Sequence, residues 1–139
     1  MVVESTIRQG SFKAIFDIIN DNQLEGWKVL SSFPEINPTF PCVVIRPSNI
    51  SVNKNTINGA GRINELVFQI ELYDTARNGK ESIDKGQDNI QKTLNDNAST
   101  LQSSDNLLFQ EVEDGDSDTF EFEGQKINYG IISARFKLA

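Results

Sequence analysis

Histidine is absent from this chain of 139 residues, and cysteine occurs once, as Cys42. Without histidine there can be no Ser-His-Asp or Cys-His nucleophile, no HExxH zinc site and no imidazole general base. A lone cysteine cannot form an internal disulfide and leaves too few soft ligands for a structural zinc site. We therefore predict a protein that is not an enzyme and needs no cofactor, with Cys42 as a small buried hydrophobic residue.

Long apolar runs and an excess of basic residues are also absent. No stretch reaches the length of a membrane span, and the amino terminus lacks the basic and apolar regions of a signal peptide, which favours a reducing cytoplasm. The net charge of -7 argues against a protein that binds the phosphate backbone of nucleic acids. It does not exclude that DNA passes close to the protein without being bound. The length and the 37% hydrophobic content predict a single domain over residues 1–139.

Apolar periodicity predicts an α+β domain, in which a mainly antiparallel sheet is flanked by two helices. The clearest element is a long strand whose inward residues alternate with polar ones: Leu66, Phe68, Ile70 and Leu72. The predicted elements, in chain order, are helix Thr6–Asn20, strands Trp27–Phe33, Cys42–Arg46 and Ile63–Tyr73, helix Lys80–Asn95, and strands Leu107–Val112, Thr119–Glu123 and Ile127–Leu138.

Two of these predicted elements suggest contact with a partner. The polar segment Ser48–Gly61 is expected to form the loop of a long β-hairpin, and long loops in compact domains are often functional. The helix Lys80–Asn95 has few apolar anchors, chiefly Ile83, Ile90 and Leu94. A sheet with a regular apolar face, covered by a helix with few apolar residues, is typical of a subunit that buries further surface against its neighbours.

The densest charge lies between Glu111 and Asp118 and includes Glu113, Asp114 and Asp116. The alternate aspartates resemble the first ligands of an EF-hand loop, but the sixth and twelfth positions hold threonine and glutamine instead of glycine and glutamate. We interpret the segment as a solvated acidic turn, with a looser site for a divalent cation as the alternative.

Other candidate chemistry is weaker still. The glycines are too scattered for a phosphate-binding loop, and Asn58–Arg62 lacks the Walker lysine and hydroxyl. Glu111 and Glu121 could face each other across adjacent strands, but without a cleft such a pair is no evidence for glycosidase chemistry.

The order and lengths of the predicted elements resemble the tail-terminator, or tail-completion, proteins of long-tailed bacteriophages and related viruses. The resemblance covers nearly the whole chain and lies in the pattern of elements, not in a short motif. The matching stretches are Phe12–Phe16, Pro41–Ile45, Leu66–Asp74 with Lys80–Leu94, and Ile131–Phe136.

This resemblance implies a structural virion protein that forms a ring, commonly hexameric, on the end of the tail tube. The ring would join the tail to the head-side connector and leave a central channel through which DNA passes without specific binding. The expected interface residues are Asn53, Lys54, Ile57, Asn58 and Gly59 in the polar segment and Gln87 in the second helix, whereas Glu113, Asp114, Asp116 and Asp118 would line the lumen or form a solvent-exposed loop. A head-completion or neck protein and a monomeric ligand-binding domain are the alternatives.

Overall fold

The computed structural model describes residues 4–31, 39–53 and 62–138. These residues form three α-helices, where the sequence predicts two, and a five-stranded sheet. The elements are α1 (Glu4–Asp21), β1 (Lys28–Leu30), β2 (Cys42–Asn53), β3 (Arg62–Thr75), a 3-10 turn (Ala76–Asn78), α2 (Lys80–Asp96), α3 (Ala98–Asp105), β4 (Leu107–Phe122) and β5 (Gln125–Leu138).

The sheet has the strand order β1-β2-β3-β5-β4. Strand β1 is parallel to β2, and every other neighbouring pair is antiparallel. The predicted α+β class with a mainly antiparallel sheet is therefore confirmed. Because residues 54–61 lie outside the described part of the chain, the predicted long hairpin between β2 and β3 is not confirmed, although the two strands pair as far as Asn53 and Arg62.

All three helices cover the same face of the sheet. The predicted inward residues of β3, from Leu66 to Leu72, are at most 3% exposed. They share one hydrophobic core with Ile15 of α1, Ile90 of α2 and Leu101 of α3. The alternation in β3 is thus confirmed, and the helices bury the apolar side that this alternation creates.

Helix α2 lies unusually close to the sheet because glycine occupies both sides of the contact. A Cβ atom on Gly86 of α2 would lie 2.5 Å from Leu72 Cδ2 of β3. A Cβ atom on Gly130 of β5 would lie 2.7 Å from Ile83 Cγ2 and 2.6 Å from Gln87 Nε2 of α2. The two glycines therefore place α2 over β3 and β5.

The end of the chain differs most from the prediction. The sequence predicts three short strands, but β4 and β5 form one hairpin whose turn residues, Glu123 and Gly124, have φ values of 50° and 78°. Positive φ at both central positions is typical of a tight hairpin turn. The predicted link after α2 contains helix α3, because Leu101 is buried against the core.

The acidic segment is not a turn, as the sequence predicts, but part of strand β4. Glu113 and Asp114 pair with Ser133 and Ile132, and a register shift between Asp114 and Ser117 accommodates the extra residue. The segment remains a strand because β5 supplies a partner along its length. Its carboxylates remain hydrated because β4 is an edge strand of the sheet.

Candidate functional site

A groove between α2 and β4 is a concave surface of the described part of the molecule. It consists of two cavities of about 320 and 340 Å³ that share Asp84, Gln87 and Asp114 in their walls. The groove exists because Gly86 and Gly130 hold α2 over β3 and β5, so the helix stops short of the edge strand. The lining residues are Lys80, Ile83, Asp84, Gln87, Asp88 and Gln91 of α2, Val112, Asp114, Gly115, Ser117 and Asp118 of β4, and Asn128, Tyr129 and Ile132 of β5.

The groove is acidic. Asp84, Asp88, Asp114 and Asp118 line it, and Lys80 is the one basic residue that the described residues contribute to its walls. Within the described ranges, Asp84, Asp88 and Asp114 make no ion pair. No group of three His, Cys, Asp or Glu side chains in those ranges is arranged to hold a metal ion. The carboxylates are therefore spread along the groove and raise the attraction of the whole surface for cationic groups.

Gln87 occupies the centre of this groove. The sequence places it as an exposed helix position, but its side chain is half-buried and lines both cavities. Its amide packs over Gly130, where a Cβ atom would come within 2.6 Å of Nε2. A charge placed at this position would thus alter the groove and would also disturb the contact between α2 and β5.

The four acidic residues predicted to act together are divided between different surfaces. Asp114 and Asp118 line the groove, and Asp116 is exposed at the register shift of β4. Glu113 instead lies near Arg135, whose guanidinium is 3.6 Å from it. The other predicted interface residues include Asn53 at the end of β2, whereas Lys54, Ile57, Asn58 and Gly59 lie outside the described residues.

A charged network crosses the face of the sheet that the helices do not cover. Arg135 of β5 lies 3.1 Å from Glu111 of β4 and 3.6 Å from Glu65 of β3. The suggested pairing of Glu111 with Glu121 is wrong, because both lie on β4 and face Arg135 and Lys126 on β5. Each of these glutamates is thus opposite a basic residue, and these cross-strand pairs stabilise the pairing of the edge strand β4 with β5.

A second polar cluster on that face surrounds Glu71, which is 7% exposed. Its carboxylate accepts hydrogen bonds from Tyr73 at 2.8 Å and from Gln69 at 2.7 Å, and it pairs with Arg46 at 3.3 Å. Burial, followed by the bond to Glu71, raises the pKa of the Tyr73 hydroxyl. A phenol held in its protonated form in this way is a hydrogen-bond donor and not a base.

Two further buried polar groups, Asp74 and Cys42, lie near the junction of β3 and α2 and on β2. Asp74, 1% exposed, accepts hydrogen bonds from Ser82 Oγ, from Asn78 Nδ2 at 3.1 Å and from the Thr75 amide at 2.8 Å. It therefore fixes the passage from β3 into α2. Burial, reinforced by the charge of Asp74, raises the pKa of the Cys42 thiol to about 12, so this thiol is a poor nucleophile.

Comparison with protein-family models and with the curated proteins finds no match to this chain. None of the helices in the described residues is long and apolar enough to cross a membrane.

Proposed function

We propose that this chain is a structural virion protein of the tail-terminator type, a subunit of a hexameric ring that caps the tail tube. The ring joins the tail to the head or neck connector, and DNA passes through its central channel. The subunit catalyses no reaction and uses no cofactor. It functions in the tail or neck of the virion and is assembled in the host cytoplasm.

The observation that carries the proposal is the unit formed by β3 and α2. The strand runs through a single 3-10 turn, Ala76–Asn78, into the helix, as the resemblance implies. Asp74 holds this turn in place by accepting bonds from Asn78 and Ser82. The unit leaves a groove and a long edge strand uncovered, which suits a subunit whose burial is completed by neighbours.

The charge of the subunit also supports the proposal. Acidic side chains outnumber basic ones by 20 to 13. A ring of such subunits surrounds its channel with a negative potential, which repels phosphate groups. Repulsion of this kind lets DNA slide, whereas a basic lining would hold the backbone through many phosphate contacts.

A monomeric ligand-binding domain is the second candidate, and the groove is the observation that favours it. Its cavities, about 320 and 340 Å³ in volume, fall at the lower end of the range for small-molecule sites. Such sites are lined mainly by apolar and aromatic side chains. Here charged and amide side chains predominate, so the groove fits a macromolecular partner better than a small apolar ligand.

The test is the state of the chain in the assembled particle. Cryo-electron microscopy of the particle, with native mass spectrometry of the purified chain alone and with tail tubes, should reveal a closed ring at the tube end. Gln87→Lys should weaken assembly while circular dichroism shows a folded subunit; Gln102→Lys, at an exposed position of α3, is the matched control. A lone subunit in the particle would refute the proposal, and binding to the portal-side connector alone would indicate a neck protein.

A further inference from the structure

We propose that the groove between α2 and β4 receives the segment 53–62 of a second copy of this chain. The inference rests on the proposed ring and names the contact that closes it. Segment 53–62 contains Lys54 and Arg62 and no carboxylate, and its one large apolar residue is Ile57. We call this stretch the basic segment.

The groove offers an uncovered strip of sheet to such a segment. On the helix-covered face, Val112 of β4 pairs with Ala134 and Asp114 pairs with Ile132. Ala134 and Ile132 belong to the main core, whereas Val112 is half-buried and Asp114 is exposed. The strip therefore presents an apolar position beside a carboxylate, at the place where α2 no longer covers the sheet.

The charges of the two surfaces are complementary. Asp84, Asp88 and Asp114 stand in the groove without a basic partner in the described ranges. The basic segment supplies two cations and no competing anion. A second copy of β4 would be repelled, because it would place carboxylates opposite carboxylates. Val112 would meet Ile57, so the contact would have an apolar centre and a polar rim, as stable interfaces do.

The basic segment cannot reach the groove of its own chain. Val112 is the groove residue of β4 nearest to the segment. It pairs with Ala134 of β5, which in turn pairs with Phe68 of β3, so Val112 and Phe68 lie at the same height in the sheet. Phe68 is six residues beyond Arg62 along β3, which is roughly 20 Å at a rise of about 3.3 Å per residue. The chain leaves the sheet at Asn53 and returns at Arg62, so only about half of the residues between them can lead away from it. At about 3.5 Å per residue, the tip of this stretch can lie at most about 16 Å from those two residues.

Because the segment cannot reach the groove of its own chain, the contact must form between two copies. The donor patch and the acceptor patch are different surfaces, and in the proposed ring each subunit gives its segment to one neighbour and receives a segment from the other. Such a heterologous contact generates a ring when the rotation closes. A reciprocal exchange of segments within one pair would instead give a two-fold dimer, which native mass spectrometry distinguishes from a ring.

The experiment uses charge reversal in the full chain, with ring formation measured by native mass spectrometry and on tail tubes by electron microscopy. The groove variant is Asp84→Lys with Asp114→Lys, and the segment variant is Lys54→Glu with Arg62→Glu. The matched control, Glu81→Lys with Asp105→Lys, makes the same charge change at exposed positions outside the groove. Circular dichroism checks that each chain is folded.

Each variant alone should form at least tenfold less ring than the wild type, while the control assembles normally. A mixture of the two variants should assemble again, because each segment then meets a groove of opposite charge in an alternating ring. Carbodiimide coupling should also join Lys54 to a groove carboxylate in the wild-type ring.

Two failures are distinguishable. If the wild type forms rings and the groove variant forms them equally well, the contact proposed here is wrong and the ring proposal stands. The contact is equally wrong if the groove variant keeps the ring and loses only binding to another particle protein. If the wild type is a lone subunit even in the particle, both proposals are wrong.

Discussion

Replacing Gly86 by alanine should destabilise the protein, although alanine is the better helix former. The added Cβ would lie 2.5 Å from Leu72 Cδ2 and 3.1 Å from Trp27 Cη2. Leu72 is fully buried and Trp27 is 7% exposed, so neither can move away freely. Overpacking of a core costs about 1–3 kcal/mol, and alanine in a helix returns about 1 kcal/mol relative to glycine. We expect a net loss of about 1 kcal/mol.

Gly10→Ala is the matched control for this prediction. Gly10 also lies within a helix, but it is exposed and a Cβ atom there would have no neighbour within 4 Å. The same substitution should therefore stabilise the protein by about 0.5–1 kcal/mol. Urea unfolding followed by circular dichroism, at concentrations where the chain is monomeric, measures both changes. If Gly86→Ala were as stabilising as Gly10→Ala, the close approach of α2 to the sheet would be refuted.

Three further predictions concern the polar groups. Asp74→Ala should cost about 1–3 kcal/mol in urea unfolding, since it removes the buried acceptor of the hydrogen bonds from Thr75, Asn78 and Ser82; a loss no larger than that of the exposed Asp105→Ala would contradict this role. Arg135→Met should cost about 1 kcal/mol at low salt and less in 1 M NaCl, because it leaves three glutamates without a cation; equal losses at both salt concentrations would count against the network. The pKa of Cys42 is raised to about 12 in the folded state from an ordinary value of 9.0, so its contribution to stability is complete below pH 9 and is lost as the pH rises towards 12. Unfolding free energies measured from pH 8 to 11 should fall, partly because the pKa of Tyr73 is also raised in the folded state. The fall should be shallower in Tyr73→Phe. An unfolding free energy of the wild type that does not change with pH would contradict the raised pKa of both groups.

The alternation along β3 can be predicted from sequence because it is a local property. Leu66 to Leu72 repeat with a period of two, and burial of one sheet face requires nothing else. Strand β4 cannot be predicted in the same way. Its segment from Asp114 to Asp118 has the composition of a turn, and only the ladder to β5, a tertiary feature, makes it a strand.

The groove cannot be predicted from the sequence, because it too depends on tertiary packing. Gly86 and Gly130 are ordinary glycines in the sequence, and neither lies in a recognisable motif. Their effect depends on the side chains opposite them, Leu72 in one case and Ile83 with Gln87 in the other. The sequence predicts Gln87 as an interface residue, but its position at the centre of a groove follows from packing between distant segments.

The charges of β4 oppose unspecific pairing at the open edge of the sheet. An edge strand 16 residues long has unpaired backbone groups that could join any other strand. The carboxylates from Glu111 to Asp118, together with two register shifts, oppose pairing between identical edges. The opposite edge, β1, is only three residues long and gives a partner little to pair with. Repulsion between like edges would leave the ring proposed above to form through surfaces of opposite charge, and a contact between unlike surfaces is the kind from which a ring is built.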